Sequence, residues 1–237
     1  MAPSKARKNR QDPLPVNKIY IPATKPEDWK QFLAEPEKHW SNGYSAKCLA
    51  YSWQEADGFP AEVKNAFKGS QYDILQNLEI LFAIPEYKVN LPGGGHASQN
   101  DLFVLAKTNE QLITIMVEGK VSESFGPLVS EWYQSPSAGK KKRLEYLCKI
   151  LNLDKEKISN IRYQLIHRTA SAIIEAGRFN APNALMLIHS FSKNNEWFGD
   201  YDEFVKLYDV KGEVNTVHYA GKMKGVELYL GWVKGKA

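Results

Sequence analysis

The chain has 237 residues, of which 43% are hydrophobic and 12% are aromatic. A chain of this length and composition can bury one substantial core, so we expect a single domain. No segment approaches the roughly 18 to 20 apolar residues of a membrane span, and the N-terminus lacks an apolar signal region. We therefore expect a cytoplasmic protein with no membrane partner.

The cysteines and the charge distribution further restrict the kinds of site that the protein can have. Cys48 and Cys148 lie in apolar surroundings, which argues against a disulfide framework and against a cysteine zinc site. The net charge is only +4, but four cations lie within residues 1–10 and four more stand in a row at residues 140–143. These clusters can contact phosphates, and a solvated tail with a solvated helix start is the alternative interpretation.

The N-terminal part is predicted to be a tail followed by helices. Residues 1–16 are rich in charged and polar residues and in proline, so we expect a disordered basic tail, with the domain spanning residues 17–237. Thr24 is predicted to cap a helix that opens at Lys25 and Pro26 and ends near Ala34. Apolar residues at helical spacing predict two more helices, at about 46–53 and 60–68.

A β-hairpin is predicted over residues 101–121. The runs 101–107 and 112–121 are dense in Val, Ile, Leu and Phe, and a polar turn separates them. Both runs are almost continuously apolar, as expected for strands buried on both faces of a central sheet. Residues 74–83 suit either a helix end or a strand, and the residues around Pro85 favour an extended chain.

Helices and strands alternate after the hairpin. Helices are predicted at about 127–134, 139–151 and 155–177, the last beginning at Asp154 and ending at Gly177. A strand at 184–191, a short helix at about 200–208 and strands near 213–220 and 226–233 follow. A strand reached through a crossover helix normally runs parallel to its neighbour, so we expect an α/β fold with a mixed sheet, extra N-terminal helices and C-terminal strands.

Two acids and a lysine are predicted to converge at one end of the hairpin. Alternate residues of a strand share a face, so Glu118 and Lys120 point the same way. Asp101 opens the antiparallel neighbour and should lie beside the end of the second strand. Charges at the end of an apolar strand need solvent or a partner, and Mg²⁺ takes carboxylate oxygens. An exposed ion pair is the alternative for Glu118 and Lys120.

With these residues the chain resembles the PD-(D/E)xK nuclease superfamily over about residues 60–191. The matching residues are Asn100-Asp101 and the triplet Glu118-Gly119-Lys120. The superfamily has a restriction-endonuclease-like core of helix, three strands, helix and strand, with an acid opening the second strand and an acid-x-lysine triplet on the third. Asn100 replaces the motif's proline, which is often absent. The resemblance implies that Asp101 and Glu118 bind Mg²⁺ or Mn²⁺ and that Lys120 is the catalytic lysine.

The resemblance also implies supporting residues. Many members carry another acid before the motif, and the candidates here are Glu79 and Glu86, of which Glu79 is favoured because it interrupts an apolar run. The helix after the third strand often presents a polar side chain to the site, for which Gln164 is the candidate. Arg168, on the same helical stripe, would contact phosphate. A solvent-facing position is the alternative for each.

The loop of residues 91–101 contains three consecutive glycines, which let the backbone approach a ligand or simply turn sharply. It delivers His96, Ser98 and Gln99 near the predicted metal, so we expect them to contact nucleic acid, with a plain hairpin tip as the alternative. His189 lies in an apolar strand and is predicted to be a buried structural histidine.

The resulting hypothesis is a metal-dependent nuclease that hydrolyses DNA phosphodiester bonds. The water would be activated by a divalent cation on Asp101 and Glu118, with Lys120 assisting. The alternative is a non-catalytic protein that keeps this fold and binds nucleic acid or a partner. A homodimer is a further expectation, because double-strand cleavage needs two sites.

Overall fold

The computed structural model describes residues 23–41 and 44–236. The predicted tail at residues 1–16 and the predicted domain start at residue 17 lie outside the described residues. The described chain is a mixed α/β structure built on one six-stranded sheet. None of its helices combines the length and the apolar character that a membrane crossing requires.

The elements of the described chain follow in sequence order. The strands are β1 (Glu79–Val89), β2 (Ser98–Lys107), β3 (Leu112–Lys120), β4 (Asn183–Ser190), β5 (Thr216–Met223) and β6 (Val226–Lys234). The α-helices are α1 (Pro36–His39), α2 (Ser45–Gln54), α3 (Ala61–Lys68), α4 (Val129–Trp132), α5 (Ala138–Leu151), α6 (Tyr163–Phe179) and α7 (Phe198–Val205). Short 3₁₀ helices lie at Pro26–Phe32, Asp73–Leu75, Lys155–Lys157 and Lys206–Tyr208.

The sheet has the strand order β1-β2-β3-β4-β6-β5. The pairs β1–β2, β2–β3 and β5–β6 are antiparallel, whereas β3–β4 and β4–β6 are parallel. The parallel step from β3 to β4 passes through α4, α5 and α6, as a crossover connection requires. The predicted α/β class and the mixed sheet are confirmed.

Alternating residues of β3 serve two hydrophobic cores on opposite faces of the sheet. Met116 packs in the cluster that contains Ile173 of α6, whereas Ile115 and Val117 pack in the cluster that contains Trp53 of α2. All residues of β4 are buried. Each fully buried aliphatic side chain contributes about 1.5 to 3 kcal/mol, so these central strands form the rigid part on which the site is built.

Helix α6 begins at Tyr163 and not near residue 155, so that prediction was wrong. Asp154 caps only the 3₁₀ helix, where its side chain accepts a hydrogen bond from the backbone N–H of Glu156 at 3.0 Å. The backbone of the residues that follow is hydrogen-bonded to the start of α4, where the carbonyl of Ile161 accepts from the N–H of Val129 at 2.8 Å. Groups bonded in this way cannot also form a helical turn, and the helix starts after them.

The C-terminal end of α6 also differs from the prediction. The helix ends at Phe179, and Asn180 caps it in the left-handed conformation with φ of 51°. Gly177 therefore lies inside the helix. Asparagine tolerates the left-handed region better than other residues with a side chain, so it can replace glycine at this position.

The first predicted helix is a 3₁₀ helix, Pro26–Phe32, and Thr24 does not cap it through its side chain. Instead, the carboxylate of Asp28 accepts the backbone N–H groups of Thr24 at 2.8 Å and of Lys25 at 3.2 Å. An acid near the start of the helix thus satisfies donors that the prediction assigned to a preceding hydroxyl.

Two strand boundaries bear on the site. β2 starts at Ser98, so Asp101 lies within the strand and does not open it. β1 runs without interruption through Pro85, which is opposite Leu102. Proline is tolerated there because β1 is the edge strand and needs no hydrogen bond on its outer side.

Candidate active site

The register of the hairpin brings Asp101, Glu118 and Lys120 together, as the sequence predicted. Leu102 pairs with Val117, so Asp101 and Glu118 are neighbours across the two strands. The Nζ of Lys120 lies 2.8 Å from Oε1 of Glu118. These side chains line one cavity, the acidic pocket, whose carboxylates are Glu86, Asp101, Glu118 and Glu123.

Glu118 is the best-satisfied charge in the acidic pocket. Its side chain is 3% exposed. Oε1 accepts from Lys120 and from Nε2 of Gln164, both at 2.8 Å, and Oε2 accepts from Nε of Arg168 at 2.6 Å. Burial raises the pKa of Glu118, but the charges and hydrogen bonds of Arg168 and Lys120 outweigh burial and lower it. Glu118 is therefore held as a carboxylate, which is how the chain tolerates it at the end of an apolar strand.

Asp101 is held differently from Glu118. Its Oδ2 accepts the backbone N–H of Gly119 at 2.8 Å, and its Oδ1 lies 4.0 Å from Nη2 of Arg168. Burial, followed by the charges of Glu118 and Glu86, raises the pKa of Asp101 well above its usual range. Positive charge entering the acidic pocket would therefore favour the ionised form of Asp101.

The third acid is Glu86 and not Glu79, which the sequence favoured. Glu79 lies at the opposite end of β1, where its side chain is 58% exposed and 3.7 Å from the Nζ of Lys107. Glu86 lies between Pro85 and Tyr87, whose partners on β2 flank Asp101. The structure therefore brings Glu86, and not Glu79, into the acidic pocket.

Glu86 is held within the acidic pocket by a neighbouring side chain. Its backbone has a positive φ of 53° within β1, a conformation that a glutamate rarely adopts. Its Oε2 accepts from Nε2 of Gln99 at 2.6 Å. Burial raises the pKa of Glu86 to about 7, while Gln99 and Arg168 oppose the rise.

Helix α6 supplies two side chains one turn apart, in agreement with the predicted stripe. Gln164 donates to Glu118 and accepts from the Nζ of Lys120 at 3.2 Å, so it bridges the two charged groups. Arg168 was predicted to contact phosphate, but it is only 7% exposed and forms an ion pair with Glu118. Its charge therefore stabilises the ionised form of Glu118 and is not directed to solvent.

The middle residue of the acid-x-lysine triplet is itself constrained. A Cβ on Gly119 would lie 3.0 Å from the Cβ of Ser45 and 3.4 Å from Oδ2 of Asp101. Glu123 connects the start of α2 to the end of β3, since it accepts the N–H groups of Ser45 at 2.8 Å and of Val121 at 3.0 Å. Neither the close packing at Gly119 nor the role of Glu123 follows from the sequence, because both involve Ser45 of α2, which is remote along the chain.

The donor chemistry of the acidic pocket suits a hard divalent cation. Oδ1 of Asp101 receives no hydrogen bond from any described residue, and Oε2 of Glu118 accepts only one, whereas Oε1 of Glu118 already accepts two. Across residues 23–41 and 44–236, no group of three or more His, Cys, Asp or Glu side chains is arranged to hold a metal. Mg²⁺ often binds through one or two carboxylates and completes its shell with water and phosphate, so Asp101 and Glu118 fit that mode.

The three loop residues predicted to contact nucleic acid separate in the structure. Gln99 lines the acidic pocket through its bond to Glu86. Ser98 is buried, and its hydroxyl lies 2.8 Å from Nδ1 of His167. His96 is exposed in the glycine loop, where its carbonyl accepts from Nη1 of Arg143 at 2.9 Å. His96 and Ser98 line a second cavity, the basic pocket, whose cations are Lys140 and Arg143.

His189 is a structural histidine, as predicted. It is fully buried, and its Nδ1 accepts from Nε1 of Trp53 at 3.0 Å. Burial lowers the pKa of His189 to about 3, so it stays neutral. It joins β4 to α2 and has no part in the acidic pocket.

One family model matches residues 22–237, and its description is a domain of unknown function, DUF6946. No curated protein and no solved structure matches the chain.

Proposed function

This chain belongs to the DUF6946 family, whose description names no activity, and we propose that it is a metal-dependent nuclease that hydrolyses DNA phosphodiester bonds in the acidic pocket. One observation carries the proposal. Asp101, Glu118 and Lys120 meet in a single cavity, and Gln164 of the crossover helix links the acid to the lysine. Buried charged groups destabilise a protein unless they are well paired, and clusters of them at strand ends are typical of functional sites.

The order of elements supports the proposal as well. Helix α3 is followed by β1, β2 and β3, then by the crossover helices and β4, which is the helix, three-strand, helix, strand order of the PD-(D/E)xK superfamily. Asp101 lies on the second of these strands and the triplet ends the third. Glu86 takes the role of the acid before the motif, which the sequence assigned to Glu79.

Asp101 and Glu118 would hold Mg²⁺ or Mn²⁺ through their carboxylate oxygens. When bound, such an ion polarises the phosphoryl oxygens and lowers the pKa of a bound water. The reaction adds one water to the phosphorus and breaks one P–O bond, so a proton must leave the water and another must reach the departing oxygen. The groups of the chain that can move or offset these charges are Lys120, Glu86 and Arg168.

Lys120 would offset charge on the phosphate and orient the attacking water. Its Nζ is fixed by Glu118 and Gln164 and lies 4.8 Å from the ring centre of Phe125. Glu86, with a pKa raised to about 7, can accept the proton of the water near neutral pH. Arg168 keeps Glu118 ionised and adds positive charge close to the site of reaction.

The test is cleavage of supercoiled plasmid and of linear DNA with Mg²⁺ or Mn²⁺. We expect Asp101→Ala and Lys120→Ala each to lower the rate by at least about a hundredfold, the lower end of what one positioned catalytic group contributes. Glu79→Ala is the matched control, because it removes an acid from β1 at the exposed end, and it should cleave like the wild type. Equal activity of wild type, Asp101→Ala and Lys120→Ala would contradict the proposal.

One observation favours a second function, a nucleic-acid-binding protein without catalysis. Arg168 and Lys120 already neutralise Glu118, so this carboxylate is charge-compensated without a metal. This alternative predicts salt-dependent DNA binding in the presence of EDTA that is unchanged in Asp101→Asn, together with no cleavage under any metal condition. Metal-dependent cleavage that is lost in Asp101→Asn would exclude it.

A further inference from the structure

The basic pocket lies beside the acidic pocket along one groove. It is a cavity of about 470 Å³ between the glycine loop and the start of α5. An intermediate cavity joins the two, since it shares Gln164 and Arg168 with the acidic pocket and Tyr163 and His167 with the basic one. A chain-like molecule can therefore lie across both pockets.

The basic pocket is chemically suited to an anion. Lys140 and Arg143 line it, and none of its described lining residues is acidic. Burial and the nearby charges of Arg168 and Arg143 lower the pKa of His167 well below its usual range, so this histidine adds no charge of its own. The hydroxyl of Tyr163 lies near Arg143, which can only donate to it, and its own O–H donates to no described residue although Tyr163 is only 8% exposed. An unused buried donor in a basic cavity points to a ligand with acceptor oxygens.

The cations of this pocket keep free donors. The Nζ of Lys140 donates to the carbonyl of Trp132 at 2.6 Å and lies 5.2 Å from its ring centre, which leaves two of its three N–H groups available. Arg143 donates to the carbonyls of Pro92, Gly94 and His96, so it fixes the loop and still has unused donors. The pocket is thus held open by contacts within the protein.

The glycines of the loop are needed for this shape. Gly93 has a φ of 94°, and a Cβ on Gly93 or on Gly139 would overlap the backbone carbonyl oxygen of the other. Glycine at both positions lets the loop lie against the first turn of α5. The sequence therefore maintains a close backbone contact at the rim of the basic pocket.

We propose that the basic pocket binds a backbone phosphate of the same strand that the acidic pocket cleaves, so that the substrate is a polynucleotide with consecutive phosphates. This inference rests on the proposed nuclease function for the identity of the strand. Lys140 and the hydroxyl of Tyr163 contact the phosphate, and Arg143 is a positioning residue that holds the loop. The groove sets the separation between the two phosphates.

The test measures binding of a short fluorescein-labelled DNA duplex in EDTA over a series of salt concentrations. We expect Lys140→Gln to weaken binding about tenfold and to reduce the slope of log K against log salt by about one, since one phosphate contact is lost. Lys142→Gln is the matched control, because Lys142 is exposed on the same helix and does not line the pocket. It should leave the slope unchanged.

A second variant changes the pocket without changing its charge. Gly139→Ala should push the loop away from α5 and also weaken binding about tenfold, while circular dichroism shows a folded protein. Gly177→Ala, where a Cβ would meet nothing within 4 Å, is its control and should bind like the wild type. Unchanged binding in both Lys140→Gln and Gly139→Ala would overturn the inference.

Other outcomes separate this inference from neighbouring ones. Equal losses in Lys140→Gln and Lys142→Gln would assign binding to the exposed face of α5 and overturn it. Calorimetric binding of inorganic phosphate that needs Lys140, without DNA binding, would make the pocket a small-anion site and overturn the polynucleotide assignment. Lys140-dependent DNA binding without any cleavage would support this pocket and contradict the nuclease proposal, whereas cleavage with Lys140-independent binding would do the reverse.

Discussion

The acidic and the basic pocket are adjoining parts of one groove, but the chain builds them in different ways. The acidic pocket lies at the ends of β2 and β3, and its three central charges, Glu118, Lys120 and Arg168, are buried and paired with one another. The basic pocket stands on a loop and a helix start, and its charges keep free donors. Burying a charge requires a partner, so these three groups must compensate one another before any ligand binds. The charges of the basic pocket are more exposed to solvent, so they need no partner within the protein and can bind a ligand directly.

The variant expected to have the largest effect removes the central carboxylate of the acidic pocket, and the quantity measured is the free energy of unfolding. Glu118→Ala leaves Lys120 and Arg168 without their shared partner in a buried place, so we expect a loss of about 3 to 5 kcal/mol in the free energy of unfolding. Glu79→Ala breaks an exposed pair with Lys107 and should cost at most about 1 kcal/mol. Urea unfolding of both variants checks this. A similar small loss in both would mean that the acidic pocket is not tightly paired.

A second test uses pH. The folded protein raises the pKa of Glu86 to about 7 from 4.5, so it binds more protons than the unfolded chain between these values. Stability from this group is full below pH 4.5 and falls as the pH rises to about 7. We expect Glu86→Gln to remove a fall of roughly 3 kcal/mol over this window. Urea unfolding at several pH values measures it, with Glu79→Gln as control. A profile that Glu86→Gln leaves unchanged would disprove the shift.

A third test asks whether Arg168 competes with a cation. Its Nη2 is 4.0 Å from Oδ1 of Asp101 and its Nε is 2.6 Å from Oε2 of Glu118, so its charge opposes an ion at these oxygens. We expect Arg168→Gln to bind Mn²⁺ about tenfold more tightly by calorimetry, which is about 1.4 kcal/mol. Lys107→Gln removes a cation remote from the acidic pocket and should change nothing. Weaker Mn²⁺ binding in Arg168→Gln would show that the arginine supports the ion.

The sequence alone predicted the hairpin and the three residues that meet at its open end, Asp101, Glu118 and Lys120. Strand periodicity places Glu118 and Lys120 on one side, and a short turn makes β2 and β3 antiparallel neighbours, which brings Asp101 to Glu118. The spacing of four residues likewise places Gln164 and Arg168 on one face of a helix. These inferences hold because each depends on residues within one element or across one turn.

Only the tertiary structure decided the rest. Glu86, and not Glu79, lies in the acidic pocket because of the register between β1 and β2, which sets the neighbours of Glu86 beside those of Asp101 and Glu79 beside Lys107. A local sequence pattern does not determine that register. α6 begins late because the residues before it bond to the first residues of α4. The basic pocket joins Gly93 to Gly139, which are remote along the chain. Contacts between distant segments depend on how the elements pack, so periodicity and spacing along one sequence do not determine them.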